Sequence, residues 1–201
     1  MSGNNGKGLS AWEKMQRDMV YDDFDADLFT RRVAAKNIFK QYNKTTDEQP
    51  ELRRRLMEQL FGSVGSNVYV EPDFTCEFGK NIFIGNDVYI NFGAVLLDCS
   101  RISIGNNVLI GPNVGMYSAN HSLDPDERAQ GALIGGRISI GDKAWIAGDV
   151  KIMAGVCIGE GAVIGCGSIV THDIPPRTLA AGNPCRVIRP ITEADRVGFV
   201  K

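Results

Sequence analysis

The chain of 201 residues contains two histidines, His121 and His172. Imidazole titrates near neutrality, so a histidine can take up a proton at physiological pH and return it within one reaction. His121 stands at the start of the stretch 120–137, where an otherwise regular hydrophobic pattern breaks. It is the candidate general base. A loop histidine hydrogen-bonded to backbone would look the same in sequence. The five cysteines, Cys76, Cys99, Cys157, Cys166 and Cys185, are odd in number, form no CxxC pair and have no adjacent histidine. They read as core-facing thiols in a reducing compartment rather than disulfides, a zinc site or an acyl-cysteine nucleophile.

What must position His121 is a hydrophobic beat at every sixth residue. Ile84, Ile90 and Leu96 keep it, and after a two-residue slip Ile104, Ile110 and Met116 resume it. Beyond the interruption it runs through Ile140, Ile146, Ile152, Ile158, Ile164 and Val170. Two residues before each stands a small or β-branched residue: Ile82, Val88, Ala94, Ile102, Val108, Val114, Ile138, Ala144, Val150, Val156, Ala162 and Ser168. Neither a helix, with its period near 3.6, nor a flat strand, with its period of 2, produces six. A chain wound into a triangular coil does, because each side takes about six residues. Gly85, Gly105, Gly111, Gly141, Gly159 and Gly165 follow the beat directly and read as turn glycines. Residues 63–176 are thus expected to form about four to five stacked coils sharing one core. Pro175 and Pro176 are expected to end the ladder, with 177–201 a tail folded back over the coil end. The interruption 120–137 is expected to be a loop on the working face. Trp145 reads as an interface or cofactor-edge aromatic.

Residues 1–62 read as a helical segment. Ser10 and Glu13 have capping-box spacing and open a helix to about Met19. A second helix shows Leu28, Val33, Ala35, Ile38, Phe39 and Tyr42 on one face. Pro50 suits the first turn of a third, with Leu52, Leu56, Met57 and Leu60 inward and Gly62 as its stop. Such amphipathic helices need a surface, and the first coil offers one. Lys and Arg total 22 against 24 Asp and Glu, which argues against nucleic acid as the main partner. No apolar run approaches the ~20 residues of a membrane span. Residues 1–8 are polar and unlike a signal peptide, so a cytoplasmic protein is expected.

The beat, the segment Met116-Tyr117-Ser118-Ala119-Asn120-His121-Ser122-Leu123-Asp124-Pro125 and the segment Ala181-Gly182-Asn183-Pro184-Cys185-Arg186-Val187-Ile188-Arg189 together resemble the hexapeptide-repeat acetyltransferases. Within them the match is to the maltose and galactoside O-acetyltransferase group, from about Met15 to Arg189. The resemblance implies a mainly β fold, a left-handed parallel β-helix with an N-terminal helical segment and a C-terminal tail. It implies a homotrimer with active sites between subunits, acetyl-CoA as co-substrate and no metal. His121 matches the catalytic base of a direct transfer, and the Gly148 backbone N–H matches an oxyanion donor. Acceptor-binding positions fall on Asp23, Arg32, Glu77, Asn91 and Asp98, types that share several hydrogen bonds with a polyol. Cofactor positions fall on Gly111, Leu133, Gly148, Cys166, Thr171, His172, Arg186 and Arg189. There the arginines can grip phosphate through two donors, and small residues let a pantetheine arm approach the main chain.

Three departures from the group's pattern bear on acceptor and phosphate contacts. Gly131-Ala132-Leu133-Ile134-Gly135 replaces a stretch that carries glutamate in many relatives. Gly136-Arg137 stands in place of Lys-Pro, and His172 in place of lysine. Other readings stay open. A β-helix carbonic anhydrase would want three histidines on zinc, and this chain has two. A non-catalytic CoA- or ligand-binding β-helix is opposed by the intact His121 segment. An acetyltransferase for an antibiotic or amino-acid hydroxyl is the third.

Overall fold

The computed structural model describes residues 8–199; the polar segment read at 1–8 lies, except for Gly8, outside the described residues. The six-residue beat becomes a three-faced parallel β-helix. Face one stacks Ser63–Val64, Ile82–Ile84, Ile102–Ile104, Ile138–Ile140 and Cys157–Ile158. Face two stacks Tyr69–Val70, Tyr89–Ile90, Leu109–Ile110, Trp145–Ile146, Val163–Ile164 and Thr178–Ala181. Face three stacks Thr75–Cys76, Val95–Leu97, Gly115–Tyr117, Lys151–Met153 and Ile169–Val170. Beat residues sit directly over one another. Ile84, Ile104, Ile140 and Ile158 form one column. Ile90, Ile110, Ile146 and Ile164 form the second. Cys76, Leu96, Met116, Ile152 and Val170 form the third. Every beat residue, and every partner two places before it, is buried. Each large aliphatic side chain so buried contributes about 1.5–3 kcal/mol.

The corners carry a second signal. Three residues after a beat residue the chain takes a left-handed conformation, as at Asp87, Asn107, Asn113 and Asp149 (φ 56–60°) and at Gly93, Gly161 and Gly167. Asn, Asp and Gly pay least for that conformation; Lys143 and Arg177 occupy it as exceptions. The glycines directly after the beat are not turn glycines. A Cβ on Gly111 would lie 2.6 Å from the Gly148 nitrogen, and one on Gly141 would lie 2.5 Å from the Glu160 nitrogen. They are glycine because successive coils meet backbone to backbone there.

Pro175 and Pro176 do not end the ladder. The prolines occupy a corner, where no ladder N–H is owed, and Thr178–Ala181 adds one more parallel rung beyond them. Arg186–Pro190 then folds back antiparallel on that rung.

The connections from face three to face one are the irregular ones. They run through 77–81, through 98–101 and through 118–137. The strands on both sides are in register, so all three connections stack along one edge of the prism.

The N-terminal helices cover the first coils. Helix α1 (Ala11–Gln16) begins with the reciprocal Ser10–Glu13 cap. It ends before Met19 because Asp18 is left-handed (φ 53°). Helix α2 (Ala26–Tyr42) is capped by Asp25. It buries Leu28, Ala35, Phe39 and Tyr42, whereas Val33, read as inward, is 41% exposed. Helix α3 (Pro50–Leu60) has Pro50 in its first turn. It buries Leu56, Met57 and Leu60, and also Arg53, whose guanidinium bonds Thr45, Asp47 and Tyr69. Gly62 is no helix stop: Phe61 ends α3, and Gly62 already donates to Ile82 in the coil ladder. A second, smaller core of Ala11, Met15, Tyr21, Leu28, Phe78, Cys99 and Leu133 lies where this segment meets the irregular edge. Cys76, Cys99 and Cys185 are buried as read from sequence; Cys157 and Cys166 are exposed.

Candidate active site

The interruption 120–137 is an ordered hairpin rather than a loop. Ala119–His121 pairs antiparallel with Ala132–Gly135. A short helix α4 (Pro125–Ala129), capped by the Asp124 carboxylate, turns the tip. Tyr21–Asp22 from the N-terminal segment adds the third strand. One rung therefore reads Tyr21, Leu133, His121. Tyr21 and Leu133 point into the small core and anchor the rung. His121 stands exposed at its end, and among the described residues no side-chain hydrogen bond holds its ring.

The same small sheet delivers the N-terminal candidates. Asp23 follows the third strand, its N–H bonded to the Gly131 carbonyl at 2.9 Å. The Arg32 guanidinium lies between the carboxylates of Asp23 and Glu77, with the Glu77 contact at 2.5 Å. Its face rests on Phe78, 5.1 Å from the ring centre. Burial works against that charge, but the two carboxylates outweigh it and raise its pKa. Asp98 stands behind them on the next coil. It is fully buried and accepts from the N–H groups of Glu77 (2.9 Å), Phe78 (2.8 Å) and Asn81 (3.2 Å). Burial pushes its carboxyl up to about 7 against the pull of those N–H groups. With no exposed surface, Asp98 cannot touch an acceptor in this chain; it fixes the turn that carries Glu77. Asn91 is not part of this cluster. It lies on the edge between faces two and three, and its side-chain oxygen accepts from the Phe92 N–H at 2.8 Å.

Four expected residues share that second edge: Asn91, Gly111, Gly148 and Cys166 each fall one or two places after a face-two beat residue. Gly111 packs on the coil above and offers no free surface on its Cβ side. The amides of Gly148 and Cys166 donate no hydrogen bond among the described residues. Thr171 bonds the His172 ring at 2.9 Å, and His172 and Arg186 line an open depression with Asp173 and Cys185. One cofactor expectation does not fit. The Leu133 side chain is 3% exposed and belongs to the small core, because its strand is the middle one of the three-stranded sheet. Arg189 is gripped bidentately by Asp195 at 2.6 and 2.9 Å. That pairing holds Asp195 well below the usual carboxylate range and occupies one edge of the guanidinium, leaving its Nε–H without a partner among the described residues.

Comparison with known proteins identifies the family. The maltose acetyltransferase hexapeptide capping motif matches residues 14–65. The galactoside O-acetyltransferase of Escherichia coli K12 is 38% identical over 94% of this chain and 93% of its own length. The chain belongs to the maltose and galactoside O-acetyltransferase family. The crystal structure of a maltose O-acetyltransferase from Clostridium difficile 630 superposes with a TM-score of 0.89 at 42% identity, over 92% of this chain and 99% of that one. A galactoside acetyltransferase in complex with coenzyme A superposes with a TM-score of 0.90 at 37% identity, over 96% and 97%. As a family member the chain is an acyltransferase. The capping motif covers the N-terminal helices that seat Asp23 and Arg32, so in this O-acetyltransferase chain the cap of the β-helix is also a wall of the candidate site.

Burial pushes the Cys99 thiol up to about 12 and raises Cys76 and Cys185 as well. These three are poor nucleophiles. Among the described residues no three His, Cys, Asp or Glu side chains gather to hold a metal ion, and no helix is long and apolar enough to cross a membrane. Sequence reasoning missed Ser118 and Asp18, which hold the feet of the hairpin. The available signal was the two-residue slip before Ile104, which marks the same edge one coil earlier.

Proposed function

We propose that this chain transfers the acetyl group of acetyl-CoA to a hydroxyl of a sugar or similar small polyol, with His121 as general base. The observation that carries the reading is the three-stranded sheet, which puts an exposed imidazole on one outer strand and Asp23, paired with Arg32 beside Glu77, just past the end of the other outer strand. The middle strand Ala132–Gly135 lies between them, so the two outer strands are two strand spacings, about 10 Å, apart, the scale of a small acceptor. His121 takes the hydroxyl proton as the oxygen attacks the thioester carbon. The tetrahedral oxyanion collapses with cleavage of the carbon–sulfur bond, and the imidazolium returns its proton to the leaving thiolate. The free Gly148 N–H is the donor suited to the oxyanion. Asp23 and Glu77 offer acceptor oxygens to sugar hydroxyls.

The residues present fit coenzyme A. The edge at Gly148 and Cys166 leaves main-chain N–H groups open to an amide-rich arm. Arg186, with His172 and Thr171 beside it, provides donors for phosphate. In a single chain, however, His121 and Gly148 lie on different edges of the prism. A homotrimer that sets the His121 edge of one subunit against the Gly148 edge of the next would complete each site. Outward-facing Leu109 and Trp145 on face two, each about half exposed, supply apolar surface for such contacts. The deciding assay is release of CoA thiol from acetyl-CoA with glucosides, galactosides, maltose, serine and chloramphenicol-like alcohols, using wild type and His121→Ala. Release that requires a sugar acceptor and disappears in the variant is expected. Undiminished release by His121→Ala would remove the proposed base.

A further inference from the structure

We propose that Arg137 is a positioning residue for acetyl transfer: with Asp18 it latches the foot of the His121 hairpin to the N-terminal segment that carries Asp23 and Arg32. This rests on the reading of His121 as the base. The hairpin leaves and rejoins the β-helix at two adjacent feet, joined by the Gly136 N–H bonding the Ser118 carbonyl at 2.8 Å. At the first foot the buried Ser118 hydroxyl accepts from the Ser100 N–H at 2.8 Å and donates to the Leu97 carbonyl at 2.7 Å. At the second, the Arg137 Nε meets an Asp18 oxygen at 2.7 Å, and an Arg137 Nη donates to the Gln16 carbonyl at 3.2 Å. The other Asp18 oxygen accepts from the Ser100 hydroxyl at 2.7 Å. The bonds therefore close a circuit from hairpin to N-terminal segment to coil corner and back to hairpin.

Asp18 is also the left-handed residue (φ 53°) at which the chain leaves α1 and turns towards Tyr21. Its anchorage sets where the third strand enters the small sheet. His121 and Asp23 lie on segments far apart in sequence, and the ring of His121 has no hydrogen bond among the described residues. Their relative placement depends on how these segments are held, and a misplacement of about 1 Å can cost ~100-fold in rate. The ion pair itself is half open to solvent, with side chains 33% and 56% exposed, so its share of global stability is small. That separates positioning from folding.

The test compares Arg137→Ala, Arg137→Lys, Asp18→Asn and the Asp18→Asn/Arg137→Ala pair. Asparagine tolerates the left-handed conformation and still accepts from Ser100, but its amide NH2 cannot accept from the Arg137 Nε–H, so Asp18→Asn breaks the Arg137 contact and spares the Ser100 bond. For Arg137→Ala we expect a fall in kcat of about 5- to 20-fold with KM for acetyl-CoA within about twofold. Deuterium uptake should rise over 119–135 and stay unchanged over 157–170. Arg137→Lys should recover part of the loss, and the pair should be no worse than Arg137→Ala alone. Unchanged uptake over 119–135, an unchanged kcat, or additive effects in the pair would each overturn the latch. A wild type without acceptor-dependent CoA release would instead overturn the functional reading, and the exchange comparison would then decide the latch alone.

Discussion

His121 and Asp98 show how a side chain acquires its role from its surroundings. His121 is solvent-facing and unbonded, the state a base needs before substrate arrives. Replacing it by alanine should lower acceptor-dependent turnover by roughly 10²- to 10⁴-fold, checked by thiol release, while the oligomer and coenzyme A binding persist. Asp98 is the opposite case, a carboxyl with every contact made to backbone inside the protein. Burial moves it from an ordinary 3.8 to about 7, so the folded state holds its proton more tightly than the unfolded chain. Its stabilising share is complete below about pH 4 and is lost as pH rises towards 7, by at most about 1.4 kcal/mol per unit. Asp98→Asn cannot titrate. Urea unfolding of the two proteins from pH 4 to 7 should show wild type losing ground to the variant as pH rises. A constant difference across that range would contradict the raised carboxyl.

At the scale of the element, the coil tolerates change at its corners and little where coils meet. Ala at Gly111 would set a methyl 2.6 Å from the Gly148 nitrogen and 2.8 Å from the Ala147 carbonyl carbon. Both are backbone, which yields only if two coils part. Gly111→Ala should cost about 1–3 kcal/mol in chemical unfolding, and it should slow turnover as well, because it moves the Gly148 amide. Lys143 presents the reverse situation. It holds a left-handed corner (φ 58°), and its contact with Glu160 is long, 3.6 Å, with both side chains mostly exposed. Lys143→Asn should stabilise by about 0.5–1 kcal/mol, seen as a higher urea midpoint with unchanged slope. A lower midpoint would show that the Glu160 contact outweighs the backbone term.

For the whole molecule, the separation of His121 and Gly148 on two edges is the decisive geometry. The proposed assembly should run in light scattering at three times the 21.9 kDa chain mass. It should also permit rescue between two inactive proteins. In trimers co-expressed from His121→Ala and Gly148→Val chains, about a quarter of the interfaces would pair a sound histidine with a sound glycine edge. Activity should return to about that fraction of wild type. Mixed trimers as inactive as either parent would mean that each site is built within one chain.

The six-residue beat by itself determined the β-helix, its three faces and which side chains fill the core, because a periodic inward position is a local property repeated along the chain. The capping box before α1 and the Pro50 start of α3 were legible for the same reason. His121 was legible because it stands where the period fails. Other assignments needed the tertiary structure. Leu133 and Val33 took the opposite exposure to that expected, since which face of a hairpin or helix is covered depends on what docks against it. Asp98 and Glu77 are neighbours because coils 21 residues apart in sequence stack one above the other. Only the fold aligned the connections at 77–81, 98–101 and 118–137 on one edge, and only the fold put Gly148 on another. The sequence specifies each coil, whereas the stacking of coils decides which side chains meet.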